Sequence, residues 1–195
     1  MSTYGTPSPK VIPLANVELD TNYAVVITTN AGLWRYKIGD TVRFTSLNPY
    51  RIKVSGRTKH HINVFGEELI IENAEDALKK VCRKTGSEIV DYTAAPIFMK
   101  GKEKGAHEWL IEFKTPPKNL DYFNELFDNA LKSLNSDYEA KRYNNLTLNK
   151  PTIHVARPQL FYDWLKQNNK LGGQHKVPRL SNTRDYMEEL KGLNG

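Results

Sequence analysis

Three short runs carry the residue types from which a nucleotide site can be assembled. They are Tyr36-Lys37-Ile38-Gly39-Asp40, Gly56-Arg57-Thr58-Lys59 and Gln174-His175-Lys176-Val177-Pro178-Arg179. In the first, a glycine after a strand lets the backbone turn sharply. The following aspartate then sits at the sheet end, where a carboxylate can accept two hydroxyl hydrogen bonds, as from a ribose diol. The plainer alternative, favoured for this run alone, is a Gly-Asp turn whose carboxylate bonds its own backbone. Arg57 offers five donors in a rigid fork suited to phosphate or ribose oxygens; a solvated linker arginine is its plainer reading. Lys176 follows Gly172-Gly173. A lysine on a glycine-rich loop can swing its ammonium towards a phosphate or carboxylate and stabilise charge that develops in a transition state. Taken singly, it reads as part of a mobile surface loop.

Other chemistries find no footing in the sequence. His60 and His61 are adjacent and would face opposite sides of a strand, a poor metal pair. His107, His154 and His175 fall in separate elements, and no HExxH spacing occurs. The single cysteine, Cys82, excludes an internal disulfide and a multi-cysteine zinc site. On the apolar side of its helix it reads as buried and inert. GxSxG, GxxxxGK[ST] and GxGxxG are all missing, so no complete nucleophile or phosphate-loop constellation is present.

The elements that must position these residues follow from composition and periodicity. The chain has 195 residues, one domain or one domain plus part of another. Its apolar share of 39% permits a core, and a charged share of 26% argues against disorder throughout. Mean hydropathy is −0.59 and no long apolar run exists, so no membrane helix is expected. The polar, proline-containing start does not read as a signal peptide, and the cytoplasm is the default compartment. The net charge of +6 suits an anionic partner, although a solvated basic face explains it as well.

Residues 1–20 read as an extended lead-in. Strands are expected at Tyr23 to Thr29, Leu33 to Lys37, Thr41 to Ser46 and Tyr50 to Val54, with a break at Ile38-Gly39-Asp40. The character changes at Thr58 to Lys59, which divides the chain into 1–58 and 59–195. A strand from His61 to Phe65 is followed by an amphipathic helix from Ile71 to Lys84, stopped near Gly86. Strands at Ile89 to Phe98 and His107 to Phe113 precede a second helix over Leu120 to Leu134. A strand at Ile153 to Ala156, a helix from Leu160 to Lys170, a loop to Arg179 and a last helix near Arg184 to Leu190 complete the series. The expected class is α+β: a short strand meander, then the split β-α-β order of a ferredoxin-like domain. Four strands without helices make a poor core alone and read as the tail of something larger.

Order and spacing say more than each run. Gly32-Leu33-Trp34-Arg35-Tyr36-Lys37-Ile38-Gly39-Asp40, then Ser55-Gly56-Arg57-Thr58-Lys59, then Ile62-Asn63-Val64-Phe65-Gly66-Glu67-Glu68 resembles the C-terminal part of the Gretchen Hagen-type, or auxin-responsive, acyl acid amido synthetases. These belong to the adenylate-forming superfamily of acyl-CoA synthetases and firefly luciferase. The Lys176 run is similar to that family's lysine loop. The likeness extends from about Val25 to Leu190 and is nearer the bacterial branch. It implies that ATP with Mg2+ and a carboxylic acid give an acyl-adenylate, which an amine, usually an amino acid, converts to an amide. By the same resemblance, Asp40 binds both ribose hydroxyls, with Arg57 also on the ribose and Tyr36 among the nucleotide-binding residues. Lys59 is the hinge, Gly66 and Phe65 lie on the loop presented in the second step, and Lys176 assists adenylation.

The departures from the family pattern shape the expectation. Ile38 stands where most of the superfamily has threonine, as in the amido-synthetase branch. The phosphate loop, acyl pocket and adenine-contacting segment lie upstream in this family. Residues 1–58 are therefore expected to be the last strands of a large adenylation domain, the chief partner. No cofactor is expected to be intrinsic to this chain, and no adenylation by it alone. The alternative is a stand-alone basic ferredoxin-like module for nucleic acid or a partner protein, using exposed sheet aromatics. It lacks an RNP-like strand and ranks well below. A regulatory domain with decayed chemistry ranks lower still, because Asp40, Arg57 and Lys176 are retained together.

Overall fold

The computed structural model describes residues 8–57, 61–101, 103–143, 147–172 and 176–195, with the backbone but not the side chain of Arg57. The chain divides into two compact units, Met1–Lys59 and His60–Gly195.

In the first unit, β1 (Asn22–Ile27), β2 (Tyr36–Leu47) and β3 (Tyr50–Arg57) form an antiparallel sheet in sequence order. Val42 and Phe44 are its buried apolar side chains, and the rings of Tyr23 and Tyr50 stand edge-on to Phe44 at 6.1 and 6.0 Å. Val26, Ile38, Ile52 and Val54 remain exposed. The expected break at Ile38-Gly39-Asp40 is instead a bulge within one long strand. Lys37 pairs with Val26 and Thr41 with Ala24, so three residues of β2 stand opposite Val25 alone. Gly39, at φ 91°, supplies the left-handed backbone that lets the strand loop out and resume pairing.

In the second unit, β6 (Glu88–Ile97), β7 (Ala106–Thr115) and β8 (Thr152–Ala156) form a sheet with β7 central, antiparallel to β6 and parallel to β8. Trp109 and Ile111 point to one face, against Ala77, Leu78 and Val81 of α1 (Ile71–Thr85) and Phe123, Phe127 and Leu131 of α2 (Leu120–Leu134). Leu110 points to the other, against Leu160, Phe161 and Trp164 of α4 (Leu160–Gln167) and Met187 and Leu190 of α5 (Asp185–Asn194). This alternation follows from the period of two along a strand. Because both faces are covered, Trp109 to Ile111 reads as an unbroken apolar run.

Local chemistry sets the helix ends. α1 stops at Gly86, which adopts φ 68°. Asn119 and Asn135 cap α2 and α3 (Ser136–Arg142), their side chains accepting from Tyr122 N at 2.9 Å and Tyr138 N at 2.7 Å. α5 is held over its face by Glu108, which accepts from Arg184 at 2.5 Å and Lys191 at 2.8 Å and bonds His154 at 2.7 Å. Burial alone would raise the Glu108 pKa, but Lys191 and Arg184 outweigh it and the net shift is downward.

The α+β class is as expected, and the strand arrangement differs in one place. The anticipated strand from His61 to Phe65 is only β4 (His61–Ile62), which pairs with β5 (Leu69–Ile70) in its own ladder. β8, not this segment, lies beside β7. The chain leaves β4 early because the Phe65 amide bonds the Glu67 carboxylate and Gly66 turns at φ 82°.

Candidate functional site

The candidate residues fall into one group in the first unit and two in the second. Asp40, half-buried on β2, lies opposite Arg57 on β3. Beside them Thr41 pairs with Gly56, and the ladder then slips so that Ser55 is the extra residue of β3. Ser55 is buried, donates to the Asn22 side chain, and lies 3.1 Å from Thr41 Oγ1. This polar knot joins all three strands beside Asp40. A carboxylate and an arginine are thereby placed at one level of neighbouring strands. Tyr36, at the head of β2 opposite Ile27, is exposed. The hinge candidate Lys59 lies outside the described residues.

In the second unit, Phe65 and Gly66 form the turn between β4 and β5. The turn rests on Glu67 and His107, both fully buried, with Oε1 and Nε2 2.8 Å apart. The other carboxylate oxygen accepts from the Phe65 amide at 2.7 Å. Burial pushes the Glu67 carboxyl up, yet the His107 bond and the backbone amides outweigh it, leaving the pKa below the usual carboxylate range. The Phe65 ring stacks on His107 at 6.4 Å, and the Tyr138 ring lies 5.5 Å from the same imidazole. Asn135 Nδ2 donates to the carbonyls of Glu67 and Glu68. Lys141 approaches Gly66 closely: a Cβ there would lie 3.3 Å from its Nζ.

Lys176 is exposed, and the backbone immediately after it is anchored. Val177 is buried, Thr93 Oγ1 donates to Pro178 O at 2.7 Å, and Ala94 N donates to Arg179 O at 2.8 Å. Ser181 N returns a bond to Ala94 O at 3.0 Å, so this segment edges β6. The Arg179 guanidinium pairs with Glu75 of α1 and lies 3.5 Å from Asp91 and 5.2 Å over the Tyr92 ring. Lys176 is thus a long, exposed side chain on a fixed base, next to the buried Val177 and three residues before the Arg179 anchor.

Sequence reasoning missed Glu67 and His107 as a pair, the anchoring role of Arg179, and Gly105. In the sequence His107 stands out only as a metal-ligand candidate. The signal for Gly105 is its place before β7: a Cβ would lie 2.4 Å from Phe65 Cζ, so only glycine admits that ring. Among the described residues no group of three His, Cys, Asp or Glu side chains converges as a metal site, and no helix is long and apolar enough to cross a membrane.

Residues 72–185 match the family model described as the GH3 family C-terminal domain, and residues 1–57 match the GH3 family central domain. The indole-3-acetic acid-amido synthetase GH3.3 of Arabidopsis thaliana is 25% identical over 198 residues, covering 95% of this chain and 33% of that protein. The indole-3-acetic acid-amido synthetase GH3.8 of Oryza sativa subsp. indica is 26% identical over 190 residues, covering 87% of this chain and 30% of that protein. The structure of the GH3.15 acyl acid amido synthetase aligns with a TM-score of 0.71 at 22% identity, over 93% of this chain and 35% of that one, a likeness of fold. The chain spans about a third of the length of the curated relatives it matches.

Proposed function

This chain belongs to the GH3 family, and we propose that it forms the hinge and lid portion of an ATP-dependent acyl acid amido synthetase. The supporting observation is the register of Asp40 against Arg57 at the end of the first unit. In this reading the Asp40 carboxylate accepts both ribose hydroxyls, and Arg57, from the neighbouring strand, donates to ribose oxygens. Tyr36 lies beside the nucleotide. Both side chains fit a diol: one is an acceptor pair, the other a donor fork.

Two half-reactions follow. The acid's carboxylate oxygen attacks the α-phosphorus of ATP, pyrophosphate leaves, and an acyl-adenylate forms. Lys176 offsets negative charge growing on the phosphate and carboxylate oxygens. Residues 59–195 then rotate about Lys59 and present the Phe65-Gly66 turn. An amine attacks the acyl carbon, AMP leaves, and an amide results. Mg2+ accompanies the triphosphate as part of the substrate; no converging donor set for it exists among the described residues. The upstream adenylation domain supplies the phosphate loop and the acid pocket.

The test is pyrophosphate exchange and amide formation with a panel of acids and amino acids. A polypeptide carrying this chain behind its upstream domain is expected to catalyse both, and the 195-residue chain neither. Exchange by the chain alone, or none by the longer protein, overturns the reading.

A further inference from the structure

We propose that Glu67 and His107 are positioning residues for the second half-reaction: they hold the Phe65-Gly66 turn in the single conformation that can be presented to the acyl-adenylate. The inference rests on reading Gly66 as part of the second-step loop.

Both side chains have no exposed surface. A carboxylate taken out of water is costly unless its oxygens are satisfied. Glu67 satisfies both, one with the imidazole and one with the Phe65 amide two residues back. When ionised, Glu67 can only accept, so His107 Nε2 carries the hydrogen and donates. Nδ1 of His107 is buried and has no hydrogen-bond partner among the described residues. A hydrogen there would be a buried donor without an acceptor, so the surroundings select one arrangement of the ring.

The turn is held at four further points. The Phe65 ring lies on His107 and fills the space above Gly105. The Glu67 carbonyl accepts from Asn135 at 3.0 Å. The Glu68 amide donates to Asn63 Oδ1 at 3.1 Å, and the Asn63 amide donates to Asn182 Oδ1 at 2.8 Å. Gly66 itself, at φ 82°, stands between these ties. A two-residue ladder needs no buried carboxylate–imidazole pair to form, and apolar side chains of similar volume often serve stability as well or better. What the pair adds is uniqueness of conformation at a turn whose placement matters to chemistry.

The test uses Glu67→Gln, which keeps the size and removes the charge. In the 195-residue chain, hydrogen exchange at the Phe65 amide should quicken about tenfold while the rest of the second unit keeps its protection. In the longer polypeptide, single-turnover amide formation should fall about tenfold with pyrophosphate exchange kept within about twofold. Should Glu67→Gln not fold, Gly105→Ala displaces the Phe65 ring while leaving both Glu67 and His107 in the sequence, and should give the same split between steps. Equal losses in both steps, or undiminished amide formation with the Phe65 amide released, overturns the proposal. A wild-type protein that adenylates but whose Phe65 exchange is indifferent to Glu67→Gln overturns the positioning role alone. A wild type that catalyses neither step overturns the functional reading and this inference with it.

Discussion

Asp40 stands directly across the β2–β3 ladder from Arg57, while on its other side β2 bulges away from β1. The same residue is thus held in register on one edge and released from regular pairing on the other. Bulges of this kind redirect a side chain without ending the strand. Asp40→Asn is expected to weaken ATP binding about tenfold or more in the longer polypeptide, since hydrogen bonds to a charged acceptor contribute about 1.5–3 kcal/mol. Titration with a fluorescent ATP analogue measures it. Unchanged affinity removes Asp40 from the nucleotide site.

Lys176 is argued to act on developing charge rather than on bound ATP. Lys176→Ala should lower the adenylation rate more than about tenfold and leave ATP affinity nearly unchanged. Stopped-flow adenylation and equilibrium binding separate the two. A parallel loss in both would make Lys176 a ground-state contact.

Gly105 admits the Phe65 ring at a distance no Cβ tolerates. Gly105→Ala should destabilise the second unit by about 1–3 kcal/mol, the usual range for forced overpacking. Urea unfolding monitored by tryptophan fluorescence gives the value. Wild-type stability in this variant would mean the Phe65 ring has another resting place.

Acid should loosen the second unit through Glu67 and Asp128. Asp128 is buried, which alone would raise its pKa; bidentate bonds from Arg142 at 2.7 and 2.8 Å and one from Tyr138 at 2.9 Å lower it overall. A carboxyl whose folded pKa is depressed contributes stability that is fully present above its unfolded pKa, about 4. That stability drains as pH falls through the folded values, which for both groups lie lower. Thermal midpoints between about pH 2 and pH 6 should therefore fall on the acid side, and Asp128→Asn should flatten that slope. An unchanged slope in the variant would assign the acid loss to other carboxyls.

Much of the second unit was legible in the chain. The apolar spacing of Ile71 to Val81 and of Leu120 to Leu134 marks helices, and Gly86 marks a stop. The second face was less so. α4 and α5 are visible as amphipathic segments, but nothing local says that they cover the sheet face bearing Leu110. α3 escaped notice because seven residues carry little periodic signal. Of the candidate site, Asp40, Arg57 and Lys176 stand out as residue types in order. The continuity of β2 through Gly39 did not, because a glycine–aspartate step serves a turn and a bulge equally well.

By itself the sequence determined the α+β class, the order of the longer helices and strands in the second unit, and the family. These depend on neighbours within a few residues, through periodicity, caps and short motifs. Only the tertiary structure decided that Glu67 meets His107, forty positions along the chain, and that Arg179 meets Glu75 over a still longer span. It alone decided that β8 lies beside β7. The physical reason is burial. A carboxylate, an imidazole or a strand edge must find its partner when water is excluded, and that partner is chosen by packing in space.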